Sequence, residues 1–284
     1  MPNDQKQIKE VLFTDYNDSK FQTFLEFLIN LKFDNNYNWR SGLQTKINAV
    51  LLLSNEVKSQ YDKAMKAKEE MEIKGFGSGL ESELLLIKFE TMLNSVYSLC
   101  DNLAFISHRL HPGIKKMFND QRKNIAKLRA KYPEYSEYLD LIESAEWYEK
   151  LHTMRSESTH YLPGFVYHSK NGLGILYRDM EHSDERIEIE NIRDYVVNLI
   201  AEIIDYLEKY GNYHLKRFID EEHKIFYPCL IPHPEGKGFL VGGRVITYSE
   251  YMKKLPGKCQ YHDIPCPRKN NCPAYLKNDE STIS

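Results

Sequence analysis

Arg155 and His160 stand five residues apart in the stretch Met154-Arg155-Ser156-Glu157-Ser158-Thr159-His160-Tyr161. Each side chain supplies one half of a phosphoryl-transfer chemistry. Histidine gains or loses a proton near neutral pH. Arginine carries a permanent, forked positive charge that fits a phosphate. Together they suffice for attack of a ribose 2′-hydroxyl on the adjacent phosphate. The imidazole moves the proton and the guanidinium neutralises the developing charge. No metal or cofactor is required for that step, and the cleaved strand would end in a cyclic phosphate. One imidazole is a single proton-transfer site, so two copies related by a two-fold axis would supply acid and base together. A homodimer acting on RNA is therefore the expectation. The competing reading of the same residues is a surface ion pair, with Glu149 or Glu157 as the acid.

On an ideal helix a five-residue spacing separates two side chains by roughly 140°. Pro163-Gly164 follows closely, and proline disfavours helical geometry at Leu162. The helix is therefore expected to fray around His160 and let the imidazole swing toward Arg155. His152, one turn before Arg155, would share its face, and Ser156, Glu157 and Thr159 are placed to orient the pair. Upstream lies a basic segment at 115–131 in which Asp120 is the only acid. Its Lys115, Lys116, Arg122 and Lys123 are the best candidates for contact with an RNA backbone, because phosphate neutralisation supplies most nonspecific affinity. The alternative is a solvated face paired with the acidic helix that follows Pro133.

Near the C-terminus, Cys259, His262, Cys266 and Cys272 place four zinc-type donors within fourteen residues. Tetrahedral zinc takes such thiolates and imidazoles, commonly as two close pairs. Pro256-Gly257, Pro265, Pro267 and Pro273 would bend the chain around an ion. Four protein ligands leave no open position for water, so the metal would be structural. Cys229 in place of His262 makes a four-thiolate set, which also admits an iron–sulfur cluster. Cys100, on an apolar helix face, reads as core.

The elements that must carry these residues follow from periodicity. Helices are expected over 18–32, with Phe21, Phe24, Leu25 and Leu28 on one face, and from about 41 to 74 after the polar Asn35-Asn36-Tyr37-Asn38. Gly75 to Gly79 reads as a linker, since no Lys-Ser/Thr follows it as a phosphate loop would need. Residues 81–109 form the strongest helix, its wide apolar face suiting the centre of a bundle. The basic helix and then an acidic helix running into the Arg155–His160 unit come next. Asn171-Gly172 signals a β-hairpin near 165–178, and 189–210 is a further long helix. Gly242-Gly243 predicts a second hairpin.

With 284 residues and 42% hydrophobic content the chain is globular, and no apolar run approaches a membrane span. A polar start without a signal-peptide pattern makes the cytoplasm the default location. The net charge of −3 disfavours a dedicated nonspecific nucleic-acid binder but allows a local basic surface. The expected layout is an N-terminal helical segment at 1–40, a helical bundle at 41–220 and a small C-terminal module at 221–284.

An Arg-x4-His unit late in an all-α bundle, after one long apolar helix and before another, resembles the HEPN superfamily of ribonucleases and nucleotide-binding proteins. The interrupted bundle and C-terminal extension are similar to a group named after a clostridial protein, Cthe_2314-like HEPN. The resemblance covers roughly residues 41–218 and implies a mainly α, HEPN-like bundle with a β-hairpin insert and a small irregular Cys-rich module. It further implies that Arg155 and His160 are catalytic, that protomers dimerise through the motif helices, and that RNA lies in the shared cleft. Members often carry Asn, Asp or His directly after the arginine, where this chain has Ser156. A role in a toxin–antitoxin or antiviral defence system, with an antitoxin or other system component as partner, is implied by the same resemblance. The second functional class is a non-catalytic helical protein that binds RNA or a nucleotide, or serves as an adaptor.

Overall fold

The long apolar periodicities of the sequence become a mainly helical structure. The computed structural model describes residues 36–75, 79–179 and 185–220, strands at 224–232, 239–247 and 258–259, and the helical positions Phe21, Phe24, Leu25 and Leu28. These fall into two units, residues 41–209 and residues 1–40 with 210–284.

Helix α1 spans Asn36–Lys74. Asn36 and Asn38 of the stretch expected to separate two helices lie inside its first turn, because Asn costs a helix only a fraction of a kcal/mol and no Pro or Gly interrupts them; Asn35 lies outside the described residues. Its stripe of Leu43, Ile47, Val50, Val57, Tyr61 and Ala64 is buried. Gly75, at φ +75, closes it by donating to the Met71 carbonyl at 2.8 Å. Helix α2, Leu80–Leu110, buries Phe89, Met92, Leu93, Val96, Leu99, Cys100, Leu103 and Ile106, as its pattern predicts.

The expected basic helix is two short ones, α3 (Phe118–Lys123) and α4 (Ile125–Lys131), bent at Asn124. The expected acidic helix is likewise broken, into α5 (Ser136–Glu143) and α6 (Trp147–His160). The break is held by Arg122, whose guanidinium donates to the Ile142 carbonyl at 2.6 Å and the Ala145 carbonyl at 2.9 Å. These acceptors are freed where the helix ends, so a tertiary contact supplies the partner that local sequence does not.

Strands β1 (Phe165–Ser169), β2 (Gly172–Asp179) and β3 (Glu185–Ile189) form an antiparallel sheet in that order. Ser169 pairs with Gly172, so Lys170 and Asn171 make the turn and the glycine begins β2. At Gly172, with φ +129, any Cβ would collide with the Tyr61 hydroxyl. β3 adds a strand that the hairpin signal alone does not predict. Helix α7, Ile192–Asp220, follows. Asn191 caps it by accepting the Asp194 N–H at 3.2 Å, and Ile192, Val196, Leu199, Ile203 and Tyr206 are buried in the predicted register.

In the other unit, Phe21, Phe24, Leu25 and Leu28 are buried on one face as predicted. Phe24 meets Tyr210 edge-on at 5.5 Å and stacks on His214 at 5.2 Å. Strands β4 (Lys224–Pro232), β5 (Phe239–Thr247) and β6 (Lys258–Cys259) form a second antiparallel sheet. Gly242-Gly243 is not a turn. Both glycines sit within β5, opposite Cys229 and Pro228. The nine-residue run of β4 offers a longer ladder than the four-residue arms beside the glycine pair. Pro228 is tolerated because β4 is an edge strand.

Candidate functional site

One face of helix α2 carries a half-buried polar seam. Glu90, Tyr97 and Asp101 recur there at intervals of seven and four, which places them on one face. Helix α6 turns Tyr148, His152 and Arg155 toward that seam, spaced by four and three. The two helices run antiparallel along it, with Tyr148 near Tyr97 and the turn after α6 reaching back to Glu90.

Tyr97 is the centre of the arrangement. Its ring stacks on Tyr148 at 5.8 Å and on His152 at 5.8 Å. The Arg155 guanidinium carbon lies 4.6 Å from the centroid of the same ring, a cation–π contact. His152 therefore shares the face of Arg155, as its spacing predicts. The Arg155 Nε is buried and meets no hydrogen-bond acceptor. Asp101 lies close enough to feel the arginine's charge. Burial raises its carboxyl pKa, while the Phe118 N–H, donated at 3.1 Å, and the Arg155 charge offset part of that rise.

His160 is placed differently. It is exposed and is the last residue of α6. The fraying expected at His160 does not occur, because the Tyr161 N–H still reaches the Glu157 carbonyl at 3.0 Å. The chain leaves helical geometry at Tyr161, and the restriction from Pro163 falls on Leu162, beyond the histidine. Arg155 and His160 thus keep roughly the 140° divergence of a regular helix, and no hydrogen bond joins them within one chain. His168 is exposed on β1.

The turn after α6 is fixed by Glu90. Its Oε1 accepts the Gly164 N–H at 3.0 Å and the Tyr177 hydroxyl at 3.2 Å. A Cβ at Gly164 would come within 2.7 Å of the Tyr177 ring, so only glycine fits the approach. Burial raises the Glu90 pKa against the lowering effect of both donors. Tyr161, Leu162 and Phe165, flanking this turn, are 49%, 56% and 67% exposed. They form an apolar border beside His160.

The other sequence candidates divide. Glu157 is buried, and neither carboxylate oxygen has a hydrogen-bond partner. Ser156 is half-buried and Thr159 exposed; among the described residues no side-chain hydrogen bond joins Ser156, Glu157 or Thr159 to Arg155 or His160. Ser158 instead donates to the Arg155 carbonyl at 3.2 Å. Glu149 pairs at 2.8 Å with Arg122 rather than with Arg155. Arg122 itself is only 11% exposed and is committed to the bundle, as the reading of a basic face paired with the acidic helix has it. Lys115, Lys116 and Lys123 are exposed.

Cys259 pairs with Arg244 across β5 and β6, whereas His262, Cys266 and Cys272 lie outside the described residues. Among the described residues no group of three or more His, Cys, Asp or Glu is placed to hold a metal. No described helix is long and apolar enough to cross a membrane. Tyr97, Asp101 and Glu90 were not singled out by spacing in α6. Their signal is their spacing of seven and four, which puts them on one face of α2. Comparison with protein-family models, with curated proteins and with solved structures found no match.

Proposed function

We propose that this protein is a metal-independent endoribonuclease of HEPN type, acting as a homodimer and cleaving RNA by 2′-hydroxyl attack. Arg155 would neutralise the phosphoryl oxygens and His160 would move the proton. The observation that carries this reading is the pairing of a fixed arginine with an exposed histidine five residues further on, bordered by exposed Tyr161, Leu162 and Phe165. Within one chain the two diverge. A two-fold axis at the end of α6 would set the His160 of each protomer against the Arg155 of the other and would cover the apolar border. A place in a toxin–antitoxin or antiviral defence system, with an antitoxin or other system component as partner, belongs to this reading.

The test is RNA cleavage in excess EDTA by wild type beside an Arg155→Ala/His160→Ala double variant. Cleavage by wild type alone, leaving 2′,3′-cyclic phosphate ends, is the expected result. Equal cleavage by both proteins would sink it.

A second reading, a non-catalytic helical RNA- or nucleotide-binding or adaptor protein, is favoured by the same arginine's engagement with Tyr97. It predicts RNA binding that tolerates His160→Ala. Under either reading we propose structural zinc on Cys259, His262, Cys266 and Cys272, to be checked by the metal content of the purified protein. Less than one zinc per chain, unchanged by Cys266→Ser, would exclude it.

A further inference from the structure

The seam beside Arg155 does not end at Asp101. Phe105 and His108 continue it at intervals of four and three, so Tyr97, Asp101, Phe105 and His108 share one half-buried face of α2. At its far end the Arg109 guanidinium carbon lies 5.7 Å from the centroid of the Phe105 ring, and His108 stacks on that ring at 6.4 Å. Arg109 is exposed, so its guanidinium has a second face open to solvent.

The loop after α2 is fixed against this end. His108 Nδ1 donates to the Ile114 carbonyl. The Gln121 amide of α3 donates to the Ala104 carbonyl at 3.1 Å and to the Lys115 carbonyl at 2.6 Å. Its own oxygen accepts the Tyr138 hydroxyl at 2.6 Å. This buried amide seats the exposed Lys115 and Lys116 beside Phe105 and Arg109.

The charge here is one-sided. Residues 102–119 contain no Asp or Glu. Arg122 is paired with Glu149, and Arg129 with Asp140 and Glu143. No carboxylate among the described residues pairs with Arg109, Lys115 or Lys116. Three unpaired cations around a stacked aromatic group suit a ligand with a negative backbone and flat apolar faces.

We propose that this end of α2 docks single-stranded RNA, a base stacking on Arg109 and Phe105 while phosphates meet Lys115 and Lys116. Unstacked bases settle on aromatic rings and guanidinium planes, and lysines neutralise the backbone. A duplex keeps its bases stacked on one another and offers no such face, so the single strand is the form that fits. The proposal rests on RNA as the ligand, as in the ribonuclease reading, and adds where the strand runs. About 16 Å of helix separates Tyr97, which supports Arg155, from His108. The acid on that path, Asp101, is engaged by the Phe118 N–H at 3.1 Å.

The experiment uses the full chain carrying His160→Ala, so that cleavage cannot consume the probe. It measures binding of a short single-stranded RNA of mixed sequence and of the same strand annealed to its complement. Tighter binding of the single strand is expected. Arg109→Lys keeps the charge and removes the flat stacking plane. It is expected to weaken single-strand binding about tenfold with unfolding unchanged, and Phe105→Leu to do likewise. Lys115→Ala/Lys116→Ala is expected to lower the slope of log affinity against log salt by about 1.4, the value for two phosphates of a single strand. Single-strand binding unchanged by Arg109→Lys overturns the docking surface, as does equal binding of strand and duplex, or binding of neither. Cleavage in EDTA with His160 intact is read separately. Strand binding here without cleavage removes the ribonuclease reading alone, and cleavage with binding indifferent to Arg109→Lys removes this surface alone.

Discussion

Arg155 rests on the face of Tyr97, its guanidinium carbon 4.6 Å from the ring centroid. The ring, not an acid, holds the arginine in place. Tyr97→Phe keeps the aromatic face and is expected to unfold within about 0.5 kcal/mol of wild type. Tyr97→Ala removes the support of Arg155, His152 and Tyr148 together and is expected to cost about 2–4 kcal/mol in urea denaturation. Equal stability of the two variants would show that the ring face does not matter.

The divergence of Arg155 and His160 within one chain gives the ribonuclease reading a sharp test. Arg155→Ala and His160→Ala are each expected to be inactive alone. Mixed after dissociation, they form heterodimers in which one composite site has both groups. Activity should return to as much as about a quarter of wild type, since half the dimers are mixed and each has one of two sites. A mixture as dead as its parts would exclude a site built of one Arg155 and one His160 from opposite protomers.

Glu90 ties the turn after α6 to α2, and its folded pKa is raised chiefly by burial. A raised carboxyl pKa favours the protonated fold, so its contribution is fully present below the ordinary carboxylate value and is lost as pH rises through the raised one. Glu90→Gln has no such titration. The stability of wild type relative to Glu90→Gln is therefore expected to fall on going from about pH 4 to pH 7. Glu90→Ala strands the Gly164 N–H and the Tyr177 hydroxyl, at about 1–3 kcal/mol. Parallel pH–stability curves for wild type and Glu90→Gln would refute the role of burial.

The basic segment separates by experiment into structure and surface. Arg122→Ala removes the contacts to the Ile142 and Ala145 carbonyls and to Glu149 and is expected to destabilise by about 2–3 kcal/mol. Lys115→Ala, Lys116→Ala and Lys123→Ala are expected to stay within about 0.5 kcal/mol of wild type. If RNA follows these lysines, the triple variant lowers the salt dependence of binding by up to about three phosphate contacts. An unchanged salt slope would remove them from the interface.

The sequence by itself determined most of the helical scaffold. The stripes of α2 and α7, and the buried face of Phe21, Phe24, Leu25 and Leu28, follow from apolar spacing, because a face that must leave water announces itself every three or four residues. The hairpin near 165–178, though not the exact turn, which falls one residue before the expected Asn171-Gly172, and the core position of Cys100 were legible for similarly local reasons. The tertiary structure decided what local signals cannot encode. Whether Gly242-Gly243 turns or pairs depends on the length of the strand opposite. Whether the acidic helix breaks depends on Arg122, some twenty residues away. The surroundings of Arg155 come from Tyr97 on another helix, and the turn beyond His160 is held by Glu90. Spacing placed Arg155 and His160 on one helix. Only the packing of α6 against α2 settled which of them is held and which is displayed, because burial is a property of facing surfaces and not of either strip of sequence alone.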